Sequence, residues 1–504
     1  MKNRNGNWIW ILLLFTLALI LRLVLLRYRL CIETDGVAYV AAARDLIQHG
    51  TMGENLCPPL YRALIGLTSL LVGDYELSGR IVSAMAGSLL VIPMFLLGER
   101  LYSRRVGYLA ATLVVFYPML VEYSTTVQLE SPYIFFLNCF FLTTLVAFKN
   151  QRWPFFVIGG VLLGLSYLIR PEALGYLPYL LLVYIGTCFF ARKDIRKTTV
   201  FINAMAFAAS ALCLMIPYMV FVGGMSEKTV GNLIRAEAVG HRDFNRARDE
   251  FIERQDSHPP SSLVNEIAHH PLKMIKRAVM NIHLVHKYSL PELFPPLLLC
   301  LVTVGLLRVR RRWEELLMLF LWVPYGAVLF FVVEARLFLP LVPIVLILAA
   351  RGVEWLQDTV ANRIAGRWSK VAGVVILAIV LASLLPYTFR PLYRPDENIT
   401  FRMAGMWLRE HYPDRSLKIM ARTPYAVFYA GADWLMLPIG KWPEVLQYAR
   451  SQNATHLVVD NRAIMEVRPE LISLLSPDSA PAELRLAGEF SAPGAERVLV
   501  YEFR

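Results

Sequence analysis

Apolar runs long enough to cross a lipid bilayer recur along the chain and constrain its fold more than any other feature. A helix needs about twenty apolar residues to span the hydrocarbon core, and a window of that length selects about eleven segments. They lie at about 8–27, 77–98, 106–120, 129–148, 154–169, 172–190, 198–222, 290–307, 314–333, 336–350 and 370–388. The sequence therefore predicts a mainly α, polytopic membrane protein.

The composition agrees with this class. Of the 504 residues, 56% are hydrophobic and 18% are charged, whereas soluble domains carry about 25% charged residues. The net charge is +12, but many basic residues lie in short loops between spans, where they set orientation. We therefore expect the lipid bilayer, and no nucleic acid, as a partner. The first span is too long for a removable signal peptide and lacks a small-residue cleavage site, so we expect it to be retained.

The basic residues of the short loops predict the orientation of the spans. With the N-terminus inside, every second loop is basic, as the positive-inside rule requires of the cytoplasmic side. These loops carry Arg100, Arg104, Arg105, Lys149, Arg152, Arg192, Lys193, Arg196 and Lys197, and later Arg308, Arg310, Arg311, Arg312, Arg351, Arg363, Arg367 and Lys370. We expect a bacterial inner-membrane protein whose other loops and C-terminal region face the periplasm.

Two long loops are expected on the periplasmic side of a transmembrane catalytic domain, residues 1–392. Loop 28–76 contains Glu33-Thr34-Asp35-Gly36 and a short helix from Val37 to His49. Loop 223–289 contains amphipathic stretches around Leu233–Arg254 and Leu263–His286, which favour helices on the bilayer surface over a merely solvated face.

The sequence pattern of residues 393–504 predicts a separate periplasmic α/β domain. Short apolar runs alternate with helical patterns, which is typical of a partly parallel sheet. The predicted strands are Leu417–Met420, His456–Val459 and Val498–Phe503, and the predicted helices are Ile399–His411, Pro443–Ser451 and Pro469–Leu475.

Two of the six cysteines, Cys31 and Cys57, bracket Asp35 on the side that is expected to be oxidising. A disulfide and two free thiols are both open for this pair. No Cys or His spacing is that of a zinc site. We assign no cofactor and no metal ligand, and leave a divalent metal open.

Acidic and arginine side chains from four distant parts of the sequence are expected at one level on the outer side. They are Glu33 and Asp35 after the first span, Glu130 at the start of the fourth, Arg170 and Glu172 between the fifth and sixth, and Glu334 and Arg336 between the ninth and tenth. Arginine presents a fork of donors that suits phosphate oxygens, and a carboxylate can act as a general base. The set predicts transfer from a lipid-phosphate donor, with arginine stabilising the leaving phosphate.

Each of these residues also has a structural interpretation. Glu130 could be an interfacial group favoured by the helix N-terminus, and Asp35 could cap the helix that follows it. The two Arg–Glu pairs could be salt bridges that pin their turns. The joint arrangement favours the functional interpretation.

Five motifs, in this order and spacing, resemble those of membrane glycosyltransferases of the GT-C superfamily. They are Thr34-Asp35-Gly36 with Tyr39 and Ala42, Pro58-Pro59-Leu60-Tyr61, Glu130-Ser131-Pro132-Tyr133, Arg170-Pro171-Glu172, and Arg336-Leu337-Phe338-Leu339-Pro340-Leu341-Val342-Pro343. More narrowly, the chain resembles glycosyltransferase family 39, which includes protein O-mannosyltransferases and lipid A aminoarabinose transferases.

The resemblance implies transfer of a sugar from a polyprenyl-phosphate-linked donor, with inversion, to a hydroxyl of a lipid, glycan or protein acceptor. It implies Asp35 as the catalytic carboxylate and Glu130 as a second acid. Candidates for substrate binding are Glu33, Tyr61, Arg62, Arg170, Glu172, Glu334 and Arg336, with the arginines Arg170 and Arg336 on the donor phosphate. Many relatives carry Asp-Glu where this chain has Asp35-Gly36, so Glu33 is the candidate to replace the second acid.

Two other functions compete with this interpretation. A transporter or flippase of lipid-linked sugars would show paired repeats and polar residues in broken midplane helices, and the sequence shows neither. A catalytically inactive scaffold would tolerate replacement of the acidic and arginine positions.

Overall fold

The structure is a computed structural model that describes residues 4–51, 58–190, 195–224, 269, 271–308, 313–330, 334–363, 367–394, 396–413 and 416–504. These residues separate into two compact units. The first contains residues 4–26, 42–224 and 269–389, and the second contains residues 27–41 and 390–504. The predicted division at residue 392 stays a prediction, as does the Cys31–Cys57 disulfide, because Cys57 lies outside the described residues.

Helices make up the first unit, and the helix Thr34–His49 belongs to the second unit up to Ala41 and to the first from Ala42. Up to residue 388 the described helices are Arg4–Leu26, Thr34–His49, Pro59–Val72, Tyr75–Leu89, Val91–Leu101, Arg104–Phe116, Pro118–Tyr123, Glu130–Asn150, Trp153–Tyr167, Pro171–Gly175, Tyr176–Phe190, Lys197–Val222, Pro271–Leu284, Val285–Ser289, Leu290–Leu293, Pro296–Leu307, Trp313–Phe320, Pro324–Phe330, Ala335–Phe338, Leu339–Leu341, Val342–Ala361 and Arg367–Thr388. The predicted short helix from Val37 begins earlier, at Thr34, so Asp35 lies inside its first turn and not at the position that precedes the helix.

Within the described residues, eight helices are long and apolar enough to cross a membrane. They are Trp8–Leu26, Tyr75–Leu101, Glu130–Asn150, Pro171–Phe190, Lys197–Val222, Trp313–Phe330, Ala335–Ala361 and Val371–Thr388. Four of them, Tyr75–Leu101, Pro171–Phe190, Trp313–Phe330 and Ala335–Ala361, join consecutive helices of the preceding list. A ninth span would combine Met274–Leu293 and Pro296–Leu307, which are bent by 108°. The multi-pass architecture is confirmed, and the count of eleven stays a prediction.

Two expected spans correspond to shorter helices. The run at 106–120 forms Arg104–Phe116, because Tyr117 precedes Pro118 and takes an extended conformation that ends the helix. The run at 154–169 forms Trp153–Tyr167, which has 15 residues. With 13 and 15 residues, each helix is shorter than the roughly 20 residues that are needed to cross the hydrocarbon core.

The amphipathic stretch Leu233–Arg254 lies outside the described residues, and the described part of the second stretch contains the helix Pro271–Leu284. Leu272, Ile275 and Val279 are exposed on this helix. Exposed apolar side chains are expected where a helix contacts lipid. Its place on the bilayer surface stays a prediction.

Glycines allow the helices Pro296–Leu307 and Val342–Ala361 to pack backbone against backbone. A Cβ atom added at Gly305 would lie 2.0 Å from a carbonyl oxygen of the second helix, and one at Gly352 would lie 2.1 Å from a carbonyl oxygen of the first. Small residues at such interfaces favour close packing of membrane helices.

The second unit contains a five-stranded sheet. Its strands are β1 (Lys418–Ala421), β2 (Asp433–Met436), β3 (His456–Asp460), β4 (Leu484–Phe490) and β5 (Val498–Phe503), in the order β2-β1-β3-β5-β4. Strand β1 is parallel to β2 and β3, and β5 is antiparallel to β3 and β4. The partly parallel sheet is therefore confirmed, although β2 and β4 were not among the predicted strands.

Helices cover the two faces of this sheet. The described helices of the C-terminal region are Arg390–Tyr393, Ile399–His411, Tyr425–Ala430, Trp442–Ser451, Asn461–Val467, Pro469–Leu475 and Pro477–Ser479. One core contains Phe401, Ala426 and Val500, and the other contains Val445 and Ile464. The C-terminal region is thus a layered α/β domain.

Candidate active site

A buried ion pair lies where two spans begin. The Nη2 atom of Arg170 is 3.3 Å from Oε1 of Glu130, and the side chains are 6% and 1% exposed. Glu130 is the first residue of the helix Glu130–Asn150, and Arg170 directly precedes the span Pro171–Phe190. Their contact shows that these two span ends lie at the same level.

The pair retains unused hydrogen-bonding capacity. Burial alone would lower the pKa of Arg170, but the carboxylates of Glu130 and Glu172 outweigh it and raise that pKa, so the guanidinium stays charged. In the described part of the chain, Glu130 Oε2, Arg170 Nε and Glu172 Oε2 are buried without a hydrogen-bond partner. Because unsatisfied buried polar atoms are costly, the site is suited to a polar ligand that supplies both donors and acceptors.

Hydrogen bonds connect the second sequence motif to residues that lie two positions before the third and fourth motifs. The amide of Leu60 donates to the carbonyl of Leu168 at 3.0 Å, two residues before the arginine of the pair. The hydroxyls of Tyr61 and Ser83 are 2.9 Å apart, and Ser83 donates to the carbonyl of Gln128 at 3.1 Å. Tyr61 therefore faces a neighbouring helix and supports the site.

The fifth motif reaches the same region. Arg336 Nε is 2.6 Å from Glu334 Oε2, at the start of the span Ala335–Ala361. The pKa of the Tyr123 hydroxyl is raised by burial and next by Glu130, while Arg336 opposes the rise. Both charged groups therefore lie within electrostatic range of Tyr123.

The structure places the remaining predicted residues as follows. Arg62 is 2% exposed in the first turn of the helix Pro59–Val72, in the same unit as the Glu130–Arg170 pair. Glu33 and Asp35 belong to the second unit, where both contribute to the electrostatic environment of Tyr425. The acids and arginines of the first unit are therefore brought together, and the first-loop acids lie with the C-terminal domain.

No group of three His, Cys, Asp or Glu side chains could hold a metal ion among the residues that the structure describes.

Comparisons with known proteins identify the fold. The model of the family described as dolichyl-phosphate-mannose-protein mannosyltransferase matches residues 57–221. An oligosaccharyltransferase of Archaeoglobus fulgidus is 13% identical with a TM-score of 0.62, over 90% of this chain and 68% of that chain. ArnT of Cupriavidus metallidurans is 14% identical with a TM-score of 0.55, over 99% of this chain and 98% of that chain. No curated protein matches the sequence.

This chain has the GT-C fold. The resemblance to membrane glycosyltransferases of family 39 is confirmed by the family model and, at the level of the fold, by the solved structures. In this GT-C chain the region matched by the family model contains the second, third and fourth motifs. The third and fourth are joined by the Arg170–Glu130 pair, and the second is hydrogen-bonded to residues beside them.

Three further residues of the candidate site, Ser83, Tyr123 and Tyr133, were given no role from the sequence, although Tyr133 ends the third motif. Tyr133 places its ring 5.8 Å from the Arg170 guanidinium, and its position three residues after Glu130 on one helix could have indicated this. Ser83 carries no such local signal, because its partners Tyr61 and Gln128 are 22 and 45 residues away. Tyr123 ends the helix Pro118–Tyr123 and so lies outside the helix that Glu130 begins.

Proposed function

We propose that this chain transfers a sugar from a polyprenyl-phosphate-linked donor to an acceptor hydroxyl of a lipid, glycan or protein, with inversion. We place the reaction at the periplasmic face of a bacterial inner membrane. The observation that carries the proposal is the buried Glu130–Arg170 pair at the start of two spans, with its unsatisfied polar atoms. The ArnT structure contains undecaprenyl phosphate, and a structure of the archaeal AglB contains a dolichol-phosphate, which supports this class of donor.

Arg170 and Arg336 are the proposed ligands of the donor phosphate. Guanidinium groups bind phosphate oxygens through paired N–H donors, and burial strengthens these charge-assisted bonds. Glu130 and Glu172 have oxygens that can accept hydrogen bonds from sugar hydroxyls. Tyr61, Arg62, Glu33 and Glu334 remain proposed substrate-binding or supporting residues.

Asp35 is the proposed general base. Its carboxylate takes the proton of the acceptor hydroxyl, whose oxygen attacks the anomeric carbon. The bond from that carbon to the phosphate oxygen breaks, and polyprenyl phosphate leaves with its negative charge stabilised by arginine. Attack in line with the departing group inverts the anomeric configuration.

The test is transfer by the purified protein in detergent, with a synthetic polyprenyl-phosphate-linked sugar and release of polyprenyl phosphate as the measurement. Asp35→Asn should abolish transfer in a protein that still inserts and folds. Asp478→Asn, at an exposed position of the second unit, is the matched control and should transfer at the wild-type rate. Substantial transfer by Asp35→Asn would remove this residue from the proposed role. A wild-type protein that releases no polyprenyl phosphate in detergent but moves the donor across the bilayer of reconstituted vesicles would be a flippase.

A further inference from the structure

The backbone just before Asp35 is held by side chains of the C-terminal domain. The amide of Cys31 donates to Oδ2 of Asp396 at 2.9 Å, and the amide of Ile32 donates to the hydroxyl of Tyr429 at 2.8 Å. These partners are 365 and 397 residues apart in sequence. The segment therefore takes its conformation from tertiary contacts within the second unit.

Two further hydrogen bonds bracket these amides. The Thr34 hydroxyl donates to the hydroxyl of Tyr425 at 2.8 Å, directly before Asp35. At the other end, Arg402 Nη1 donates to the carbonyl of Leu30. Side chains of the C-terminal domain thus hold residues 30–34 on both sides of the buried residues Cys31 and Ile32.

Tyr425 packs against a neighbouring helix of the second unit. It begins the helix Tyr425–Ala430, and Tyr429 lies one turn later on the same face. The ring of Tyr425 packs against the ring of Phe401, with centroids 5.5 Å apart. Gly405 belongs to the helix Ile399–His411, and a Cβ atom added there would lie 2.3 Å from a carbonyl oxygen of the helix Tyr425–Ala430. These two helices are therefore in close contact.

The electrostatic environment connects this hydroxyl to the proposed base. Burial raises the pKa of Tyr425, the hydrogen bond from Thr34 opposes the rise, and the negative charges of Glu33 and Asp35 add to it. The phenol therefore stays protonated at neutral pH.

We propose that Tyr425 is a positioning residue for transfer: its hydroxyl, through Thr34, holds the first helical turn that carries Asp35. This inference rests on the proposed function of Asp35. A displacement of about 1 Å in a reacting group can lower a rate by about 100-fold, so a fixed hydroxyl one residue from the base has a direct effect on the catalytic step.

The test is a double-mutant cycle of Tyr425→Phe and Thr34→Val in the full chain. Tyr425→Phe keeps the ring against Phe401 and removes only the hydroxyl. We expect each single variant to lower kcat by about 10-fold with an unchanged donor KM, and the double variant to lower it no further. Amide hydrogen exchange at residues 30–35 should be faster in all three variants.

Tyr448→Phe, at an exposed position of the helix Trp442–Ser451, is the control and should match the wild type in both measurements. The inference is overturned if Tyr425→Phe has the wild-type kcat, if the single effects multiply in the double variant, or if hydrogen exchange is unchanged. Hydrogen exchange needs no activity. An inactive wild-type protein with faster exchange in Tyr425→Phe would therefore contradict the proposed function while leaving the structural link in place.

Discussion

The guanidinium of Arg170 lies 3.3 Å from the carboxylate of Glu130, and both side chains are buried. A buried ion pair of this kind contributes little net stability compared with apolar residues of similar size, but removal of one partner leaves an uncompensated charge. A pair that only pins two turns could therefore be replaced by neutral side chains without loss of function. A pair that binds substrate could not.

The first prediction separates these two roles. Arg170→Met should destabilise the protein by about 3–5 kcal/mol, because the Glu130 carboxylate is left buried without its partner. The double variant Glu130→Gln with Arg170→Met should recover most of that stability and still fail to transfer sugar. Melting temperature and release of polyprenyl phosphate are the two measurements. Activity that returned together with stability would assign the pair to structure alone.

The second prediction concerns Arg336, whose side chain is 21% exposed. If its planar fork binds the donor phosphate, Arg336→Lys keeps the charge and loses the paired donors, so the donor KM should rise by about 10-fold. The acceptor KM should not change. Arg409→Gln, on the exposed face of the helix Ile399–His411, is the control. An equal rise in both KM values would argue against a donor-specific contact.

The positions of the span ends could be predicted from the sequence because they follow from the length of the apolar runs. Glu130, Arg170 and Arg336 lie beside such ends, so their common level followed from the alternation of basic loops. The hydrogen bonds that join the motifs could not be predicted. Ser83, which connects Tyr61 to Gln128, is a small polar residue in a helix and resembles many others.

In the sheet of the second unit, some strands could be predicted from the sequence and others could not. The strands β1, β3 and β5, which lie inside the sheet, are mostly buried and have apolar sequences that predict strands. The missed strands β2 and β4 are the two edges, and several of their residues are exposed. Edge strands carry more polar residues and so give a weaker pattern.

No local sequence pattern predicts that residues 27–41 belong to the second unit. A hydrogen bond between Cys31 and Asp396 crosses 365 residues, and neither residue belongs to a motif that indicates the other. One sequence gives the chemistry of such side chains, whereas their pairing depends on the folded chain.

The third prediction concerns the glycine contact between the helices Pro296–Leu307 and Val342–Ala361. Gly305→Ala should destabilise the protein by about 1–3 kcal/mol, because the added Cβ would lie 2.0 Å from a carbonyl oxygen of the facing helix. Gly186→Ala is the matched control, since nothing lies within 4 Å of its added Cβ. This control should be neutral or stabilising by up to about 1 kcal/mol. Thermal unfolding in detergent measures both, and equal effects would contradict the close approach.

The fourth prediction is a pH dependence at Asp460, which caps the helix Asn461–Val467 by accepting a hydrogen bond from the Ala463 amide at 2.6 Å. Burial raises the pKa of this carboxyl from 3.8 to about 6, and its hydrogen bond and Arg422 only partly oppose the rise. The folded state therefore binds the proton more tightly than the unfolded state. The contribution of this group to the free energy of unfolding is present below about pH 4 and is lost as the pH rises through about 6.

The loss should amount to roughly 2–3 kcal/mol between these limits. Asp460→Asn keeps a good capping residue but has no proton to release, so its stability should vary less over this range. Hydrogen exchange of the amides of β3, measured from pH 4 to 7 in the full chain and corrected for the intrinsic exchange rate, reports the local free energy of opening. Because other carboxyl groups titrate equally in both proteins, the difference between wild type and variant isolates Asp460. Parallel curves would show that its pKa is not raised.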